Sequence, residues 1–81
     1  MNEMQMVRLL QSVGKRCFKS CYETACRLGD SFSIDDLLKC DPKLEGTSPK
    51  AQSTRVSKIK RLIREGWGEE ALARCQRIGQ S

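Results

Sequence analysis

The sequence predicts an all-α fold, a small bundle-like or orthogonal arrangement of three to four helices over about 2–28, 33–40, 49–65 and 68–78. Three observations carry that expectation. Apolar residues recur at the three- and four-residue spacing of helices that bury one face. Serine, proline, acidic and glycine signals stand where helices should start and stop. No segment has the strict alternation or β-branched richness of a strand.

The first helix is read from about Asn2 to Leu28. Met6, Leu10, Val13, Cys17, Cys21 and Leu28 fall on one stripe, with Leu9 and Phe18 beside it. Gly14 lies inside this helix, where glycine costs ~1 kcal/mol relative to alanine, and its place beside the stripe points to the close approach of another helix. Gly29-Asp30-Ser31 ends the segment.

A short second helix follows from Ser33 to about Cys40. Ser33 is placed to cap the amide of Asp36, Asp35 and Asp36 suit the positive end of the helix dipole, and Phe32 can staple against Leu37. Asp41-Pro42 stops it, and the stretch to Thr47 has no apolar period and reads as loop. Ser48-Pro49 opens the third helix, serine as cap and proline at the first helical position, where a missing N–H costs nothing. Its inward face is Gln52, Val56, Ile59 and Ile63, with Leu62 alongside, and Gly66 is its stop. Trp67 to Leu72 opens a fourth helix with Glu69 and Glu70 in the first turn. Leu72, Cys75 and Ile78 continue its apolar side before it frays at Gly79-Gln80-Ser81.

A chain of 81 residues supports one hydrophobic core and not two, so residues 1–81 are read as a single helical domain. Its 38% apolar and 31% charged content, arranged periodically, separates it from disordered chains. No apolar run approaches the ~20 residues needed to span a bilayer. Met1-Asn2-Glu3-Met4-Gln5-Met6 lacks the charged start and apolar stretch of a secretory signal. A cytoplasmic location and no membrane partner are expected. Five cysteines, an odd number, argue against a closed disulfide framework and for free thiols.

The net charge of +5 is concentrated in one place. Residues 48–64 hold Lys50, Arg55, Lys58, Lys60, Arg61 and Arg64 and no acid, while the rest of the chain carries nine basic and ten acidic groups. The outward side of that helix gathers Ser53, Thr54 and Ser57 first, then Lys58, Lys60, Arg61 and Arg64. A helix entering the DNA major groove meets base edges with short polar side chains near its N-terminus and neutralises phosphates with lysine and arginine. The plain alternative is a solvated helix face whose late cations complement the dipole. Against it stands the absence of acids, since exposed helices usually mix both signs. A helix-turn-helix joins its helices by three or four residues, whereas eight separate them here, from Asp41 to Ser48. Arg8, Lys15 and Lys19 on the first helix can extend the basic surface if the two helices face the same way.

Other chemistry is thinly supplied. Histidine is absent, which removes the commonest general base and any Cys-His or Ser-His pairing. Asp35 and Asp36, like Glu69 and Glu70, read as helix-start acids. Glu65-Gly66-Trp67-Gly68 lacks the spacing and the lysine of a phosphate loop. Cys17, Cys21, Cys26 and Cys40 could compose a four-thiolate zinc site, but Cys17 and Cys21 lie on the core stripe while Cys26 points away, so buried hydrophobes are the better account. Cys26 is expected exposed and the most reactive thiol. Trp67 is either a core plug or an exposed anchor for a partner. No enzymatic activity, metal or cofactor is expected.

The expected function is a small non-enzymatic binding protein that contacts nucleic acid, DNA first, through Ser53, Thr54, Ser57, Lys58, Lys60, Arg61 and Arg64, with Lys50 and Arg55 supporting. It would act as a regulator or accessory subunit. The alternative is a protein–protein adaptor or inhibitor whose basic face meets an acidic partner, or a homodimer formed through helix 1. A third is a structural domain without a charge-dependent partner.

Overall fold

Gly14 divides the predicted long first helix in two. The computed structural model describes the backbone of residues 2–79 and the side chains of residues 2–75. It places α1 over Glu3–Val13 and α2 over Lys15–Leu28. The Gly14 amide donates to Leu10 O at 2.8 Å and closes α1, while its carbonyl accepts from Phe18 N at 2.9 Å and opens α2. Between these bonds Gly14 turns through φ 95° and ψ 128°, a backbone state that side chains with a Cβ rarely enter. The single helix over 2–28 is therefore corrected, and the reason is length. A straight helix over residues 3–28 would run about 39 Å at 1.5 Å per residue, and the largest dimension of the domain is 28 Å. Breaking at Gly14 lets Met6, Leu10 and Val13 of α1 and Cys17, Phe18, Cys21 and Ala25 of α2 enter one core.

Local chemistry sets the remaining boundaries. Asn2 and Gln5 form a capping box at the start of α1, the Gln5 amide donating to Asn2 Oδ1 at 2.9 Å. After α2 a 3-10 turn over Gly29–Ser31 leads to Phe32, which is fully buried, as is Leu37, where the predicted staple put them. Ser33 and Asp36 form the capping box of α3, Ile34–Cys40, and one Asp36 oxygen accepts from both the amide and the hydroxyl of Ser33 at 3.0 Å. Those bonds hold the Asp36 carboxyl below the usual carboxylate range.

The stretch expected as loop is a second 3-10 helix, Pro42–Gly46, that buries Leu44. What holds it is Gln52, the one buried polar side chain among the described residues. Its Nε2 donates to Leu44 O at 2.9 Å and Thr47 O at 3.1 Å, which explains a glutamine on an apolar face: it satisfies carbonyls brought inside with Leu44. Gln52→Leu keeps the volume and removes both bonds. Leu44 O retains the Thr47 amide and hydroxyl, so the expected loss is about 1 kcal/mol, read as a lower urea midpoint.

Helix α4, Pro49–Arg64, starts with the Ser48 hydroxyl accepting from Ala51 N at 3.2 Å. It ends in a Schellman motif: Gly66 N donates to Ile63 O at 3.1 Å and Trp67 N to Leu62 O at 2.9 Å, with Gly66 at φ 83°. Helix α5 occupies Gly68–Gly79. Gly68 is buried at this corner, and a Cβ there would come within 3.0 Å of the Tyr22 ring.

Among the described residues there are five α-helices and no strand, so the all-α class stands and the count of three to four rises to five. Helices α2 and α4 each pack against all the others. Their buried residues, Cys17, Phe18, Cys21 and Ala25 with Val56, Ile59 and Leu62, meet Met6, Leu10, Val13, Phe32, Leu37, Ala71 and Cys75 in a single core. Trp67 is half-buried and packs against that core. The predicted Ile78 contact lies outside the described side chains; of the expected frayed end, Gly79 still belongs to α5, and Gln80 and Ser81 lie outside the described residues. No described helix is long and apolar enough to cross a membrane.

Candidate nucleic-acid interface

At 100° per residue the buried side of α4 is Gln52, Val56, Ile59 and Leu62, and the opposite side points to Lys50, Ser53, Ser57, Arg61 and Arg64. These five are exposed, and so is Thr54; Lys58 and Lys60 are half-buried, one on each flank. The flanks are grooves. One, of about 210 Å³, lies between α1 and α4 and is lined by Gln5, Arg8, Leu9, Ser12, Lys58 and Arg61. The other, also about 210 Å³, lies between α4 and the end of α2 and is lined by Ala25, Gly29, Asp30, Lys60, Ile63 and Arg64. The exposed side of α4 is thus a ridge with a depression on either side.

The predicted site residues divide accordingly. Ser53, Thr54 and Ser57 stand on the N-terminal half of the ridge, with Lys50 ahead of them. Lys58 and Arg61 face the α1 groove, where Arg8 joins them. Lys60 and Arg64 face the other, and Lys60 Nζ donates to Asp30 O at 2.8 Å just beyond α2, a cation at a helix C-terminal end where the dipole favours it.

Arg55 does not stand with the others. Its guanidinium is half-buried and Nη1 donates to Val13 O, the open carbonyl end of α1. Arg55 Nε is buried without a hydrogen-bond partner. The spacing contains the signal for this: Arg55 lies seven residues from Leu62, about 20° away on the helix, so its stem belongs to the buried side.

Internal carboxylates neutralise little of the ridge. Among the described residues, Arg61 alone of its cations has an ion-pair partner, Glu65 at 3.2 Å, with the two side chains 51% and 36% exposed. An exposed pair four residues apart contributes only ~0.3–0.5 kcal/mol and yields readily to a stronger anion. Elsewhere Arg74 of α5 pairs with Glu3 of α1. The charges of Lys15 and Lys19 on α2 act on the Cys75 thiol of α5, which burial pushes up in pKa while they oppose it. Gln5, Leu9 and Ser12 are newly placed beside the basic cluster. With Arg8 they share one side of α1, but that this side meets α4 depends on packing.

The cysteines are all free. Cys17 and Cys21 are buried and Cys26 is exposed, as their helical positions predict. The mutual influence of the Cys17 and Cys21 thiols, one helical turn apart, lowers the pKa of Cys17 and, with burial, raises that of Cys21. Among the described residues no three His, Cys, Asp or Glu side chains are grouped to hold a metal ion. On α1, Met6, Leu10 and Val13 are buried in the core, while Met4 is 67% exposed and Val7 and Leu9 are half-buried.

The chain matches no protein-family model, and comparison with curated proteins and with solved structures finds no similar protein.

Proposed function

We propose that this chain is a small non-enzymatic nucleic-acid-binding protein that meets duplex DNA with the exposed ridge of α4, as a regulator or accessory subunit. Ser53, Thr54 and Ser57 face base edges, and Lys58, Lys60, Arg61 and Arg64 face phosphates, with Lys50 beside the first turn. Arg55, held on the Val13 carbonyl, is left out of the interface. The observation that supports this most is the convergence of Arg8 from α1 with Lys58 and Arg61 from α4 on one groove. A face that served only as solvated surface would gain from interspersed acids. Here Glu65 is the one carboxylate paired with it among the described residues.

The test is a mobility shift with random duplex DNA at low and moderate salt, with polyglutamate as competitor. Binding at low salt that weakens steeply as salt rises supports the function. No shift at low salt overturns it. Polyglutamate bound tightly where DNA is ignored assigns the same ridge to an acidic protein partner instead.

A further inference from the structure

We infer that the groove between α1 and α4 is a seat for a single phosphate group, and that in the assembled complex it holds one phosphodiester of the nucleic-acid backbone beside the α4 ridge. The inference rests on the nucleic-acid reading for the source of the phosphate, and on the groove itself for the chemistry.

Size restricts the occupant. A volume of about 210 Å³ corresponds to roughly seven waters at ~30 Å³ each and falls below the ~300–1,000 Å³ of sites that enclose a drug-sized ligand. A tetrahedral anion with part of its hydration fits such a groove. The walls restrict the charge. Arg8, Lys58 and Arg61 line it from two helices, and no acid does. Among the described residues neither Arg8 nor Lys58 lies within ion-pair distance of a carboxylate. Arg8 and Lys58, with Arg61 only partly compensated by Glu65, repel one another around one small volume, and an anion between them relieves that repulsion.

The polar residues complete a donor set. Gln5, Arg8 and Ser12 recur at i, i+3 and i+7 and so share one side of α1, as Lys58 and Arg61 at i and i+3 share one side of α4. The Gln5 side-chain oxygen accepts from the Asn2 amide at 3.2 Å, so the end of that side chain left for another partner is its NH2. The Ser12 hydroxyl, the Arg8 and Arg61 guanidiniums and the Lys58 ammonium are all donors. Arginine on both walls suits the two-oxygen recognition of phosphate. Leu9 between them supplies an apolar wall that limits water and strengthens those contacts.

The experiment follows the amide NMR spectrum of the full chain as inorganic phosphate replaces chloride at constant ionic strength. In parallel, duplex-DNA affinity is measured against salt for wild type, Arg8→Gln and Arg8→Lys. The expected result is a saturable shift centred on Gln5, Arg8, Leu9, Ser12, Lys58 and Arg61, abolished in Arg8→Gln. DNA affinity should fall by roughly 10-fold at about 0.1 M salt with a salt slope lower by ~0.9 in Arg8→Gln, and Arg8→Lys should keep the slope. Arg8 is exposed, so both variants retain the fold, which the same spectra report. Shifts spread over every cation without saturation overturn the seat. A wild type that binds DNA with a slope unchanged by Arg8→Gln overturns it too, while sparing the nucleic-acid reading. Saturable phosphate binding without DNA binding sinks that reading and leaves the phosphate seat standing.

Discussion

Lys58→Glu/Arg61→Glu is expected to weaken duplex-DNA binding by roughly 100-fold at about 0.1 M salt and to lower the salt slope by about 1.8. Each phosphate neutralised by a cation contributes close to one logarithmic unit of affinity at that salt through counterion release, so two lost contacts amount to ~60-fold. The introduced carboxylates then repel the backbone and carry the loss further. Neither side chain belongs to the core. Replacing the exposed Arg61–Glu65 pair by two like charges four residues apart costs only a few tenths of a kcal/mol, on the order of ~0.5. The variant should therefore melt near wild type while failing to bind. Fluorescence anisotropy across a salt series reads both quantities, and an affinity unchanged by the double reversal would remove the α4 ridge from the interface.

Gly14→Ala is expected to destabilise the domain by about 1–3 kcal/mol, a fall in melting temperature of ~4–8 °C for each kcal/mol. The sign separates two architectures. Were residues 2–28 one continuous helix, the same substitution would stabilise by ~1 kcal/mol, because alanine is the better helix former. With Gly14 at φ 95°, a Cβ is forced into a backbone region it resists. Space is not the obstacle: that Cβ would meet Arg55 Nη1 at 3.6 Å and Cys17 Cβ at 3.9 Å, ordinary contact distances. The cost is conformational, and thermal melting followed by circular dichroism measures it. A raised melting temperature would restore the long helix.

The boundaries that were legible in the sequence are those set by neighbouring residues. Ser48-Pro49 starts α4, Ser33 with Asp36 starts α3, and Gly66 ends α4, each through hydrogen bonds that span at most five residues. Such bonds form wherever those residues occur together, so the chain announces them. The break at Gly14 was not legible. A glycine inside a helix costs too little to end it, and the apolar stripe continues in register on both sides. The 3-10 helix over Pro42–Gly46 was hidden for a similar reason, since Leu44 alone has no period and nothing local ties the inward-facing Gln52 to the carbonyls of Leu44 and Thr47.

The candidate interface shows the same division. Six cations without an acid over residues 48–64 could be counted in the chain, and helical spacing assigns most of them to the outward side. The charge count puts Arg55 with the interface although its spacing from Leu62 sets its stem near the buried side, and only the Val13 carbonyl left open by the break gives its guanidinium a reason to turn inward.

By itself the sequence determined the helical class, the starts and stops of α3 and α4, the apolar faces and the location of the positive charge, because these follow from contacts within a few residues. The tertiary structure decided that the first helix bends back at Gly14, that Arg55 closes that bend, and that Arg8 meets Lys58 and Arg61 across a groove. Each depends on residues some forty or more positions apart, whose meeting is set by how five short helices fill one core.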